Sequence, residues 1–245
     1  MTNLIASEFF KLRSTRTFYA FLITCLALVL LPTIPVSAFA DFGSDSDGLE
    51  VLIFFLGGLV QTFAMLIGIL AVTSEFRHGT ITPSLLVVPD RVKLVLAKLG
   101  ASVLIGLALG LVATVLVALI VKGIGGARDL DTSGDVMPLI IGSTIATGLF
   151  AALGVGVGAV MRNQVGAIIG SLIYLFVLEN LLQIIPGVDD VLGKYGFGAV
   201  SGGLSGADEP SDLLGQVPAG LVFAGYCAIF IVIGIELMRR RDITA

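Results

Sequence analysis

Residues 91–121 read RVKLVLAKLGASVLIGLALGLVATVLVALIV, an apolar run whose cations are confined to its first eight positions. As one α-helix these 31 residues would extend about 46 Å at ~1.5 Å per residue, whereas a bilayer core needs only about 20 apolar residues. A helix of a soluble domain carries a polar face along its length, and this one has none beyond its first turns. The stretch therefore predicts a membrane-crossing helix that overhangs the bilayer by about two or three turns, with Arg91 and Lys98 able to snorkel toward headgroups.

The rest of the chain has the same character. Of 245 residues, 56% are apolar and 13% charged, with no tryptophan and 31 glycines. Soluble domains carry roughly a quarter charged residues, so an ordinary soluble fold is excluded. The mean hydropathy is +1.06. Six runs are long enough to span: 18–40, 51–73, 94–121, 138–160, 166–185 and 217–237. The breaks between them carry helix-end chemistry, with Pro138 and Pro218 at starts and Gly79 and Gly187 at exits. The expected fold is all-α: a single transmembrane domain over residues 1–245.

Six spans put both termini on one side. Segments 1–17, 74–93, 161–165 and 238–245, with nearby Lys98, hold eleven of the fourteen cations; only Lys122, Arg128 and Lys194 lie opposite. Most acids fall on that opposite side, among them Asp41, Asp45, Asp129, Asp131, Asp135, Asp208, Glu209 and Asp212. By the positive-inside rule both termini and residues 74–93 are cytoplasmic, and the plasma membrane is the expected location.

At the N-terminus, Leu4, Ile5, Phe9 and Leu12 gather on one side of a helix flanked by Lys11 and Arg13, although Glu8 interrupts the apolar face. Residues 1–17 thus read as a helix lying on the membrane surface. The basic start, the apolar core from Phe18 and Ala38-Phe39-Ala40 also resemble a cleavable signal peptide. The apolar run continues for about 23 residues, however, which is enough to span, so the first span is expected to be retained.

Residues 74–93 interrupt the apolar sequence with Glu75, Arg77, the sole histidine His78, Pro83 and Pro89. Gly79 suits a left-handed helix end. Thr82 and Pro83 then predict the cap and first turn of a short helix over 83–88, Pro89 stops it, and Asp90 caps the long helix beyond. Ile81, Leu85, Leu86 and Val88 would give this short helix an apolar ridge. It is either an interfacial helix resting on lipid or a knob that docks on a cytoplasmic partner.

The run EFRHGTITPSLLVVPDRVKLVLAKL after span two, SEFFKLRSTRTF before span one and RRRD after span six resemble the permease subunits of type-2 ABC exporters. The likeness covers the whole chain. It implies that the N-terminal helix is an elbow and that the 74–93 loop is a coupling helix contacting a cytoplasmic ABC ATPase. Glu75, Arg77, His78, Gly79, Thr80, Ile81, Leu85 and Leu86 would form the start and ridge of that contact, and Pro89, Asp90 and Arg91 its end. ATP and Mg would then be held by the partner ATPase, and this chain, a transport subunit rather than an enzyme, would bind no cofactor. A homodimer, or a heterodimer with a similar permease, is implied. The bilayer is its other partner, and nucleic acid is not one.

Other chemistries find no support in the residues. The only Gly-Lys, Gly193-Lys194, is followed by Tyr195, and Val188 stands where a phosphate loop needs its first glycine. Gly203-Leu204-Ser205-Gly206 matches a serine motif of intramembrane proteases and the start of an ATPase signature. His78, the only available base of its type, falls on the opposite side of the membrane in this topology. One histidine, with Cys25 and Cys227 inside apolar runs, offers no zinc cluster and no disulfide.

Inside the spans and away from their ends, Glu179 is the one carboxylate, with Asn180 beside it and Gln183 one turn further. Intramembrane charge is expensive and points to function. Glu179, Asn180 and Gln183 in span five, with Gln61 in span two, either bond helices together or line an export path. Gly106/Gly110, Gly154/Gly158 and Gly166/Gly170 are spaced for close helix contact, within the chain or with another. Between spans five and six, one short helix is expected around 189–194. The expected function is export of an amphipathic drug, peptide or lipid. An ion-coupled secondary transporter using Glu179 and a non-transporting membrane scaffold are the alternatives.

Overall fold

A computed structural model describes residues 1–39, 47–124, 136–206 and 213–240, and of residues 47–51, 85 and 87 the backbone alone. The described residues are helical with no strand. In chain order the helices are α1 (Thr2–Ser14), α2 (Arg16–Phe39), α3 (Asp47–Arg77), α4 (Ile81–Val87), α5 (Arg91–Ile124), α6 (Met137–Met161) and α7 (Gln164–Ile173). A π-helical turn, Tyr174–Leu178, joins α7 to α8 (Glu179–Leu182), and α9 (Asp189–Tyr195), α10 (Phe197–Ser205) and α11 (Gln216–Arg240) complete the chain. Six of these segments are long and apolar enough to cross a membrane: α2, α3 from Leu52, α5, α6, the continuous α7–α8 unit, and α11.

α3 and α6 form the centre. Their most apolar stretches are 61% and 67% buried within the chain, against 22% for α2, 17% for α7–α8 and 22% for α11. Helices in lipid gain nothing from hiding Leu from water, so backbone proximity has to hold them. A Cβ on Gly154 of α6 would stand 2.1 Å from the Met65 carbonyl oxygen of α3, and one on Gly68 would stand 2.2 Å from the Ala151 carbonyl. Gly106 and Gly110 of α5 lie similarly close to Ala151 and Thr147 of α6. Two of the three spaced glycine pairs therefore serve contacts within the chain. The third does not: Gly170 has no neighbour within 4 Å, on the most exposed of the spans.

The loop after span two differs in detail from expectation. Gly79 does adopt φ +67° and closes α3. The short helix then starts two residues early, at Ile81 with Thr80 as its cap, so Pro83 occupies the third helical position. An amide there has no acceptor within the helix, so proline costs nothing. Val88, out of helical backbone before Pro89, ends it. The Asp90 carboxylate accepts the Val92 and Lys93 amides at 3.0 and 3.2 Å and caps α5. α5 runs 34 residues, about 51 Å at ~1.5 Å each.

Between spans five and six the chain makes two helices rather than one. Phe197–Ser205 reads FGAVSGGLS, whose glycines disfavour an isolated helix. The same small residues let it pack. A Cβ on Gly203 would lie 2.1 Å from the Leu214 carbonyl, and Gly142 of α6 sits as close to that of Leu204. The acids at 41, 45, 129, 131, 135, 208, 209 and 212, with Arg128, Arg241 and Ala40, lie outside the described residues.

Candidate functional site

Among the described residues, two large cavities lie at opposite ends of the bundle. The first, about 500 Å³, lies where α1, α3, α4 and α5 meet. Lys98 is 3% exposed, and its ammonium donates to Glu8 Oε2 at 2.7 Å and forms an ion pair with Glu75 Oε1 at 2.8 Å. Lys11 bridges the same two carboxylates, at 2.6 Å to Glu8 and 3.3 Å to Glu75. Two carboxylates and two ammoniums thus close a neutral network that ties α1 to α3 and α5. Ser84 Oγ of α4 lies 3.5 Å from Glu75 Oε1, so the short helix joins at its edge.

The sequence expectation for these groups needs correcting. Lys98 does not snorkel: two turns inside an apolar helix, it is buried and paired instead. Glu8 does not spoil the face of α1; it is the anchor that holds α1 against α5. Burial by itself would raise the Glu8 carboxyl, but Lys98 and then Lys11 hold it below its ordinary value of 4.5. Burial would likewise lower Lys11, yet Glu8 and Glu75 raise it above 10.5. A signal was present. Lys98 needs a carboxylate, and in the cation-rich segments and the span end that adjoins the last of them only Glu8, Glu75, Asp90, Glu236 and Asp242 are acidic.

Of the residues assigned to the loop contact, Glu75, Arg77, His78 and Thr80 line this cavity. Arg77 donates to Gln164 Oε1 at 3.3 Å. Ile81 is 5% exposed and turns inward, so it is not part of an outer ridge, whereas Leu86 is 80% exposed. The Leu85 side chain lies outside the described part. Pro89 is exposed, and Asp90 serves as the cap of α5. Arg91 donates to the Met238 carbonyl and Arg162 to the Leu237 carbonyl, the latter at 2.6 Å. Both carbonyls belong to the last described turn of α11. Arg91 is therefore a staple to α11 and does not reach for headgroups. Arg162 itself takes φ +53°, a left-handed end to α6 that no glycine announced.

The second cavity, about 590 Å³, borders α3, α7–α8, α9 and α10. It brings together all four polar residues singled out inside the spans, Gln61, Glu179, Asn180 and Gln183, with walls that include Phe54, Phe55, Phe150 and Phe176. Glu179 Oε1 accepts the Gly198 amide at 2.8 Å, which places the carboxyl at the first turn of α10. Gly196 is obligatory for this arrangement, because a Cβ there would lie 2.4 Å from that oxygen. Ser201 of α10 donates to Gln61 Oε1, and Asn180 donates to the Phe176 carbonyl at 3.2 Å within its own span. α10 is thus tied both to span two and to span five. Sequence reading missed α10 and with it Gly198 and Ser201. The π-helical turn just before Glu179 is a feature often found at functional sites, and it sets the direction of this side chain.

The remaining motifs resolve into structure. Gly203-Leu204-Ser205-Gly206 is the last turn of α10: Ser205 Oγ donates to the Gly202 carbonyl at 2.9 Å, and Gly206 takes φ +83°. Ser205 packs beside α6 and His78 lines the opposite cavity. Cys25 and Cys227 are free and buried.

No curated protein matches the sequence. The model of a protein family of unknown function, DUF2705, matches residues 17–244, and the chain belongs to that family.

Proposed function

We propose that this protein is the membrane subunit of an ABC exporter in the plasma membrane, with both termini in the cytoplasm. A separate ABC ATPase would dock on α4 and the residues around it, and two permease chains, identical or similar, would complete the transporter. In this reading α1 is the elbow and α4 the coupling helix. The observation that carries the proposal is the attachment of α4. It is a seven-residue helix held between α3 and α5. Leu86 projects outward from it, and its Ser84 touches a buried ion network that reaches α1, α3 and α5. A connection between two spans needs no such bracing. A helix pushed by a partner does, because force has to pass to several spans together.

ATP binding would close the ATPases, displace α4 and shift the population of bundle arrangements, changing which side the second cavity faces. Location and orientation rest on the positive-inside rule, and direction on the likeness to exporter permeases. The test is co-expression with an ABC ATPase encoded beside this chain, followed by detergent purification. The ATPase is expected to co-purify with the wild type and to be lost with Leu86→Asp. Retention by that variant, or absence of any ATPase from the wild-type preparation, contradicts the reading.

One observation favours a second reading. A buried carboxylate within a span, Glu179, is what an ion-coupled secondary transporter would use. Collapse of transport by a proton ionophore at constant ATP would select that reading instead.

A further inference from the structure

The fold leaves one group in the second cavity unfinished. Glu179 is 4% exposed, and its Oε1 is occupied by the Gly198 amide. Its Oε2 is buried and has no hydrogen-bond partner among the described residues. Proteins rarely keep such an atom without a reason, and an ionised carboxylate with one bare oxygen in a dry site costs several kcal/mol. The Gly198 amide at the first turn of α10 offsets part of that cost. Among the described residues it forms no ion pair, and its neighbours Tyr174 and Tyr226 offer phenol groups rather than a counter-charge.

The walls narrow the identity of the missing charge. A volume of about 590 Å³ suits a drug-sized molecule and is far too large for a stripped inorganic ion. No group of three or more metal-binding side chains exists among the described residues. The lining combines four phenylalanines with the amides of Gln61, Asn180 and Gln183. Aromatic faces attract cations and also receive a hydrophobic body, and a bare carboxylate oxygen forms a strong, charge-assisted hydrogen bond to an ammonium.

We propose that this cavity binds an amphipathic organic cation, an apolar body bearing an amine or quaternary ammonium, with Glu179 Oε2 as its counter-charge. The phenylalanines hold the body, and Glu179 supplies the choice of charge. This names a substrate class for the exporter reading and rests on that reading for every step after binding, but binding itself requires neither ATP nor an ATPase.

The experiment uses the purified full chain in nanodiscs and two fluorescent probes with one body: dansylcadaverine, a cation at pH 7, and its uncharged N-acetyl derivative. The wild type is expected to bind the cation about tenfold more tightly, equivalent to ~1.4 kcal/mol. Glu179→Gln should erase that preference while leaving the acetylated probe's affinity within about twofold, which shows the cavity intact. Should that variant not fold, displacement from the wild type decides: tetraphenylphosphonium is expected to compete and tetraphenylborate, of the same shape and opposite charge, is not. Equal affinity for the two probes, binding of neither, a preference that survives Glu179→Gln, or competition by the borate overturns the proposal. None of these outcomes touches the ATPase partnership, and failure to find an ATPase leaves them standing.

Discussion

Buried carboxylates occur at both ends of the bundle, and they are treated oppositely. At the cation-rich end, Glu8 and Glu75 are matched by Lys98 and Lys11 into a neutral network. At the other, Glu179 has a backbone amide on one oxygen and no ion pair among the described residues; Glu75 Oε2 is as bare as Glu179 Oε2, so the difference between the ends is the counter-charge. A paired set of buried charges holds helices in place and is damaged by losing any member. A carboxylate without a counter-charge can anchor a helix through one oxygen, as Glu179 does for α10, and leave the other for a ligand. The same residue type therefore marks a brace in one cavity and a recognition group in the other, and the partners, not the residue, tell which.

The largest expected effect tests the brace. Lys98→Met leaves two buried carboxylates with only the half-exposed Lys11 between them and should cost about 3–5 kcal/mol. Thermal unfolding in detergent measures it, and adding Glu8→Gln and Glu75→Gln to the same chain should recover most of the loss. Glu179→Gln, by contrast, should change stability by less than about 1 kcal/mol, because no charge partner is abandoned. Equal losses at the two ends would break the comparison.

Acid should distinguish the ends next. Glu8 is held below its ordinary value, so its contribution is present above about pH 4.5 and is lost as the pH falls through the lower, folded-state value. Lys11 is raised, so its contribution persists below 10.5 and fades only as the pH climbs past its folded-state value. Unfolding temperature should therefore fall on acidification below pH 4.5. Glu8→Gln should flatten that part of the profile. The smallest effect concerns the loop: Asp90→Ala removes two hydrogen bonds to the start of α5 and should cost about 1 kcal/mol.

Much of this architecture is written locally. The six apolar runs return as six long helices, and Gly79 and Asp90 end and begin helices where their chemistry says they should. Gln61, Glu179, Asn180 and Gln183 can be picked out because polarity inside a span is conspicuous, and they share one cavity. Whatever depends on distant pairing escapes. Glu8 looks like a flaw in an amphipathic face until Lys98, ninety positions on, is placed against it. α10 looks like a glycine-rich loop, since its stability comes from Glu179 at its first turn and from backbone contacts that glycine alone permits. Arg162 ends α6 in a left-handed turn usually left to glycine, and its reason is the α11 carbonyl it reaches.

The central claim is that ATP hydrolysis on a partner chain moves a ligand through this one. The direct measurement is uptake of dansylcadaverine into inside-out vesicles that contain this protein and an ABC ATPase that co-purifies with it, with and without ATP and with and without a proton ionophore. The account predicts uptake that requires ATP, survives the ionophore and disappears with Leu86→Asp. Uptake that proceeds without ATP and collapses with the ionophore would contradict it.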